Sequence, residues 1–271
     1  MVAGLAFVAT AVATLFAQAT AVRWSRSRAP HQGAWTIALV LFALASAALA
    51  TGASTGWDSG TFRAFYLLGA IVNVPWLALG TIYLLLGRRV GDRVRIAVVL
   101  FTGLGLGVML AAPMHGAIAT DHIPVGKDVF DALPRALAGA GSGIGALVVF
   151  VGAAWSAVRF ARSRRPGSGR LAGGNGLIAL GTLVLSSGGL LQGIVGHDEA
   201  FALTLAIGIA VIYSGFAVAS GVRISLSPRV AAGAPPNEID AQSADGNERR
   251  SNLPAKDRGS SSTSSTRVGS L

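Results

Sequence analysis

An asparagine and a proline stand close to the middle of one long apolar run, in the segment "NVPW" that begins at Asn73. Pro75 has no backbone N–H, so a helix through this segment loses the hydrogen bond to the Ile71 carbonyl and should kink there. The Asn73 amide, which both donates and accepts hydrogen bonds, stands beside the freed acceptor. This pairing predicts a solute-binding site inside the protein. The alternative is that Asn73 bonds a neighbouring helix and Pro75 only shapes packing.

Three further residues complete the predicted solute site. Trp76 directly follows Pro75, and Tyr213 and Ser214 lie at a similar depth in the last apolar run. The long apolar runs contain no Asp, Glu, Lys or Arg near their centres, although proton pumps and ion-coupled carriers usually place ionisable residues there. The pattern therefore favours a small neutral or amphipathic solute, and it predicts no catalytic residue.

Histidines and carboxylates recur in two other segments, "MHGAIATDH" and "GHDEA". His115, His122 and His197 with Asp198 are residues of the types that bind zinc in hydrolases. No HxxxH or HExxH pair occurs, however, so the pattern favours ordinary loop residues and predicts neither a metal nor another cofactor. The chain has no cysteine, which excludes disulfides and thiolate chemistry.

The elements that position these residues are membrane helices. The chain is 52% hydrophobic and 13% charged, and its apolar residues form runs of about 20, the length that crosses a bilayer. We predict an all-α bundle of seven transmembrane helices. The predicted spans are Val2 to Val22, Trp35 to Ala53, Phe62 to Leu86, Ile96 to Pro113, Ala136 to Val158, Leu177 to Val195 and Phe201 to Val222.

The net charge of +10 is unevenly distributed between the loops. The loops after spans 1, 3 and 5 carry the arginines, whereas the loops after spans 2, 4 and 6 are neutral or acidic. By the positive-inside rule this predicts an outer N-terminus and an inner C-terminus. The rule accounts for the basicity, so we expect no nucleic-acid partner. A composition rich in Ala, Gly, Val and Arg is typical of GC-rich bacteria and predicts a bacterial plasma membrane.

Two copies of one unit are predicted within the membrane domain. "AVRWSRSRAP", from Ala21, and "AVRFARSRRP", from Ala157, share seven of ten residues, and the similarity continues into the flanking helices. We interpret residues 1–86 and 136–222 as parallel three-helix repeats, joined by a linker helix over 96–113. The alternative is convergence between Ala- and Leu-rich helices. The membrane domain then spans 1–223, and the polar segment 224–271 is predicted to be a disordered cytoplasmic tail.

This plan of three helices, a linker helix and three helices resembles the topology of SWEET and PQ-loop transporters, and it is similar to the seven-helix plan of microbial rhodopsins. The units have no Pro-Gln pair, and the last span has no lysine to hold retinal. With "NVPWLALG", from Asn73, the sequence is more similar to a family of actinobacterial seven-helix membrane proteins without an assigned activity. The transporter resemblance implies a carrier or permeability path.

Two further patterns bear on packing and partners. The glycine runs "GLGLG", from Gly103, and "GAGSGIG", from Gly139, have the small-residue spacing that lets helices approach closely. The segment between Pro124 and Pro134 has apolar residues at helical spacing and predicts a short interfacial helix or a connector. Besides the lipid bilayer, the expected partners are a small neutral solute and a membrane protein or second copy. A non-catalytic membrane subunit or scaffold is the alternative function, and a zinc-dependent membrane hydrolase ranks third.

Overall fold

Every regular element in the described part of the chain is helical. The computed structural model describes residues 1–116, 118, 120, 122–163, 165–195 and 198–220, and for residues 190–195 it describes the backbone alone. Within these residues the predicted all-α class is confirmed. The predicted tail, 224–271, lies outside the described residues.

The helices cover nearly all of the described chain. They are α1 (Val2–Ser27), α2 (Pro30–Thr55), α3 (Ser59–Phe65), a π-helical segment (Tyr66–Val72), α4 (Asn73–Ala111), α5 (Gly126–Val129), α6 (Ala132–Ala161), α7 (Ser168–Val195) and α8 (Asp198–Ser220). Six helical stretches in the described residues are long and apolar enough to cross a bilayer, with α3, the π-helical segment and α4 forming one of them. This indicates a multi-pass membrane protein.

That longest stretch folds back on itself at Gly87. Gly87 has φ 80° and ψ 179°, a conformation that is essentially restricted to glycine. The Trp76 indole N–H donates to the Thr102 hydroxyl at 3.1 Å, although 26 residues of straight helix would separate them by about 39 Å. The parts of α4 before and after Gly87 are therefore antiparallel, and the described chain has six or seven long apolar helices according to how α4 is counted.

Polar contacts hold the reversal at Gly87 together. The Tyr83 hydroxyl donates to the Asp92 carboxylate at 2.8 Å. Arg88 and Arg95 lie 3.6 Å and 3.8 Å from the same carboxylate. Because these ion pairs are exposed, they contribute little stability by themselves, so the conformation of Gly87 is the stronger constraint on the turn.

The long helices form a closed ring. In chain order, α1 packs on α2, α2 on α4, α4 on α6, α6 on α7 and α7 on α8, and α8 returns to pack on α1. Small residues bring α7 and α8 close together, since a Cβ at Gly174 would lie 2.7 Å from the Gly215 carbonyl oxygen. Close backbone approach through small residues is the usual way in which membrane helices associate.

Several helices begin earlier in the chain than the predicted apolar spans. Helix α7 begins at Ser168 rather than Leu177, and α6 begins at Ala132 rather than Ala136. The helix after Gly87 is continuous over residues 88–111, although its predicted span begins at Ile96. The prediction followed the apolar runs, whereas the helical backbone continues into arginine-containing segments that can extend beyond the hydrocarbon core.

We expect Gly87→Ala to destabilise the protein by about 1–3 kcal/mol, because alanine is strained at this φ and ψ. Gly103→Ala is the matched control, since Gly103 is helical and has no atom within 4 Å of its would-be Cβ. The free energies of unfolding of both variants in detergent micelles check this. A Gly87→Ala variant as stable as Gly103→Ala would contradict the expected strain.

Candidate functional site

The distortion expected at Pro75 takes the form of the π-helical segment Tyr66–Val72, which directly precedes Asn73. The Asn73 backbone N–H donates to the Leu68 carbonyl, five residues back. In the same register Pro75 would donate to Ala70, but proline has no N–H. In the π register the carbonyl opposite Pro75 is that of Ala70, whereas in the α register, which begins at Asn73, it is the predicted Ile71 carbonyl.

Ser142 of α6 supplies the missing donor. Its hydroxyl donates to the Ala70 carbonyl oxygen at 2.6 Å. Sequence analysis missed this residue because it lies inside the glycine run "GAGSGIG", which was interpreted as packing alone. A buried backbone carbonyl needs a partner where water is scarce, so the Ser142 hydroxyl makes the irregular segment compatible with the membrane interior.

The packing interpretation is confirmed for two glycines of that run. A Cβ at Gly141 would lie 2.5 Å from the Ile71 carbonyl oxygen, and one at Gly145 would lie 3.0 Å from the Val74 carbonyl oxygen. These two glycines let α6 approach the irregular segment closely enough for Ser142 to reach it. The other pair, Gly139 and Gly143, has no atom within 4 Å of a would-be Cβ.

The Asn73 side chain is buried beside this contact. Asn73 is 7% exposed, and the flanking Ile71 and Val72 are 0% and 3% exposed. Among the residues that the structure describes, none forms a hydrogen bond with the Asn73 amide, which keeps a little exposed surface and is not fully enclosed. An amide has two N–H donors and a carbonyl acceptor, and leaving such a group unsatisfied inside a protein costs about 1–3 kcal/mol.

A second buried polar group, Ser46 on α2, also lacks a partner. Ser46 is 1% exposed, and its hydroxyl has no hydrogen-bond partner in the described part of the chain. Other hydroxyls on α2 bond to the carbonyl four residues back, as Thr36 does to Gln32 and Ser54 does to Ala50. Sequence analysis missed Ser46 because a serine within an apolar helix usually makes this local bond.

Contacts between α2 and the third predicted span, which consists of α3, the π-helical segment and the part of α4 before Gly87, place Ser46 and Asn73 at similar depths. A Cβ at Gly69 would lie 3.4 Å from the Ala45 Cβ, and one at Gly80 would lie within 3 Å of the Trp35 ring. Asn73 lies between these two contacts along its helix, and Ser46 directly follows Ala45. The two unpartnered polar groups are therefore separated by about one helical turn in depth.

The other predicted site residues are distributed over different contacts. Trp76 hydrogen-bonds Thr102 across the fold at Gly87, and the Tyr213 ring lies 5.2 Å from the Phe16 ring, between centroids. Ser214 is exposed, and its hydroxyl donates to the Ala210 carbonyl at 2.8 Å. The described contacts keep Asn73, Pro75 and Trp76 together on one helix, whereas Tyr213 packs toward α1.

Aromatic side chains fill one end of the bundle, where α2 ends and α3 begins. The cluster contains Trp57, Phe62, Phe65, Tyr66, Phe130 and Phe201. The rings of Phe62 and Phe130 stack at 5.5 Å, and the Arg63 guanidinium donates to the Met109 and Ala112 carbonyls. The fixed rings and the guanidinium bonds make this end of the described bundle tightly packed.

The segment between Pro124 and Pro134 is part of this closed end. Val129 and Phe130 are 5% and 2% exposed, and α5 has only four residues. Of the two predicted alternatives, this single helical turn agrees better with the connector than with an interfacial helix. Val129 and Phe130 are buried within the bundle and contact the aromatic cluster, whereas Leu133, of the same apolar pattern, is 57% exposed.

The predicted histidine cluster is incompletely described. His115 lies 3.1 Å from the Asp131 carboxylate, and both side chains are more than half exposed. Asp198 accepts a hydrogen bond from the Ile123 backbone N–H at 2.7 Å. His197 lies outside the described residues. Among those that are described, the structure brings together no group of three potential metal ligands.

Comparisons with protein-family models, with curated proteins and with solved structures find no match to this chain. The resemblances drawn from topology and from "NVPWLALG" therefore stay predictions. Function is inferred below from the geometry around Asn73 and Ser46.

We expect Ser142→Ala to lower the free energy of unfolding by about 1 kcal/mol, because the Ala70 carbonyl loses its donor. The matched control is Ser214→Ala, which removes a hydroxyl that is exposed and bonds only within its own helix. Unfolding of both variants in detergent gives the comparison. Equal stabilities would mean that the Ser142 bond does not support the irregular segment.

Proposed function

We propose that the protein is a seven-span carrier, or permeability path, for a small neutral solute. In this proposal the segments before and after Gly87 are spans 3 and 4, the N-terminus is outside, and the membrane is a bacterial plasma membrane. Residues 1–86 and 136–222 form two parallel three-helix units, and the solute binds between them.

The order of helix packing supports the two units. In the first unit α1 packs on α2, and α2 packs on the third span; in the second, α6 packs on α7 and α7 on α8. The contacts between units also correspond, since α1 meets α8 and α6 meets the third span. An exchange of the two units leaves this pattern unchanged, as a rotation about the membrane normal requires.

The observation that carries the proposal is the pair of unpartnered polar groups, Asn73 and Ser46. Both are buried in a chain whose spans have no ionisable residue near their centres. A solute with more than one hydroxyl or amide group can hydrogen-bond both side chains, which together offer donors and acceptors but no charge. These groups favour a polar, uncharged solute over an ion.

The aromatic cluster supports a carrier that is closed at one end in this conformation. Phe62 and Phe130 are 1% and 2% exposed, so their stacked rings leave little access to the interior from that side. A carrier must open and close alternately at its two ends. We place this cluster on the outer side, in agreement with the predicted orientation.

The alternative function is a membrane subunit or scaffold. It is supported by glycines on two helices that, in the described part of the chain, have no neighbouring helix packed against them. Gly103 and Gly107 on α4, like Gly139 and Gly143 on α6, have no described atom near a would-be Cβ. Exposed small residues at this spacing are typical of helix association in membranes. A stable homodimer without any solute response would favour this function.

The proposal predicts opposite effects of Ser46→Ala on stability and on ligand response. Removing an unsatisfied buried hydroxyl should raise the free energy of unfolding by up to about 1 kcal/mol. If the hydroxyl binds solute, the same change should weaken the thermal stabilisation by a responding solute. Screening a panel of neutral metabolites by thermal denaturation measures both effects.

Asn73→Leu should abolish the response to the same solute, because leucine offers it neither a donor nor an acceptor. The exposed Ser214→Ala is the control and should leave the response unchanged. If the Asn73→Leu variant and the unsubstituted protein respond equally, the solute binds elsewhere. Loss of stability in Ser46→Ala would show that this hydroxyl already has a structural partner.

A further inference from the structure

An apolar groove runs along the outside of the bundle, between α6 and the part of α4 before Gly87. Its volume is about 510 Å³. Its walls include Leu85, Leu147 and Val151, and one end is formed by Trp155 and Arg159. Leu147, Val151 and Trp155 are 61%, 53% and 67% exposed, so the groove faces the surroundings of the bundle rather than its interior.

The floor of the groove is shallow because the two helices touch there. A Cβ at Gly152 would lie 2.5 Å from Thr81 Cγ2 and 2.9 Å from Leu85 Cδ1. Glycine therefore permits close contact at this point, while longer side chains stand on both sides. The result is a narrow apolar channel along the helices, a shape that suits an extended hydrocarbon chain.

The Arg159 end of the groove carries an uncompensated positive charge. Arg159 is exposed and lies one helical turn after Trp155. No carboxylate among the described residues forms an ion pair with it, and the groove lining includes no acidic residue. Asp92, in the turn that follows Gly87, is already bonded to Tyr83 and paired with Arg88 and Arg95.

We propose that this groove binds one phospholipid with an anionic headgroup. One acyl chain lies against Leu85, Leu147 and Val151, and Trp155 lies at the level of the glycerol, where indole rings are favoured. The lipid phosphate accepts hydrogen bonds from the Arg159 guanidinium. An anionic headgroup is preferred over a zwitterionic one because a headgroup ammonium would be repelled by Arg159. This site is separate from the proposed solute site.

Quenching of Trp155 fluorescence by brominated lipids tests the proposal in the full chain. The protein is reconstituted in phosphatidylcholine vesicles that contain an equal mole fraction of brominated phosphatidylglycerol or brominated phosphatidylcholine. The chain has five tryptophans, so the emission of Trp155→Phe is subtracted to isolate Trp155. We expect brominated phosphatidylglycerol to compete for the site about fivefold better than brominated phosphatidylcholine, as expected for one basic residue near the membrane surface.

Arginine variants identify the residue responsible. Arg159→Gln should remove the preference, and Arg159→Lys should retain it because the charge remains. Arg26→Gln, which removes an exposed arginine from the end of α1, should leave the preference unchanged. Equal quenching by both lipids in the wild-type protein, or a preference that survives Arg159→Gln, would overturn the proposal.

A second copy of the chain is the competing occupant of the groove. In that case neither brominated lipid would quench Trp155, and light scattering would give two copies per particle. Leu147→Trp narrows the groove and should reduce the lipid preference, whereas Leu100→Trp, at a 69% exposed position on α4, should not. Equal effects of these two substitutions would also count against a lipid in the groove.

Discussion

The hydrogen bond from the Ser142 hydroxyl to the Ala70 carbonyl joins α6 to the irregular part of the third span, and the interior arrangement depends on it. In a bilayer every backbone polar group needs a partner within the protein. Pro75 and the π register leave the Ala70 carbonyl without a helical donor, and Gly141 allows α6 to approach closely enough to provide one. The irregularity is thereby made stable and kept in a fixed place.

The close packing of α6 on the third span affects residues on both sides of that span. On the inner side, Asn73 directly follows the π-helical segment and is buried with an amide that has no described partner, at nearly the depth of Ser46. On the outer side, the same close packing of α6 continues to Gly152 and forms the floor of the apolar groove. One helix pair therefore lies beside two buried polar side chains on one side and an apolar groove on the other.

Hydropathy predicted the helical class and the position of the apolar helices, because a run of about twenty apolar residues matches the length of a membrane-crossing helix. It missed the first turns of α7, where Arg170 interrupts the apolar pattern but not the helix. The sequence also pointed to Asn73 and Pro75. It could not reveal Ser46 or Ser142, since the partner of a serine hydroxyl depends on the tertiary packing. For Val129 and Phe130 the sequence left an interfacial helix and a connector open, because buried and membrane-surface segments share the same apolar spacing.

In the proposed carrier, the polar groups at Asn73 and Ser46 serve a neutral solute that crosses the membrane. Solute flux into proteoliposomes, followed by light scattering after an isosmotic shift to a series of uncharged polyols and sugars, tests this most directly. A carrier predicts faster swelling than in protein-free liposomes for at least one solute, and loss of that difference with Asn73→Leu at equal protein insertion. Swelling at the protein-free rate for every solute, or equal rates with Asn73→Leu and the unsubstituted protein, would contradict it.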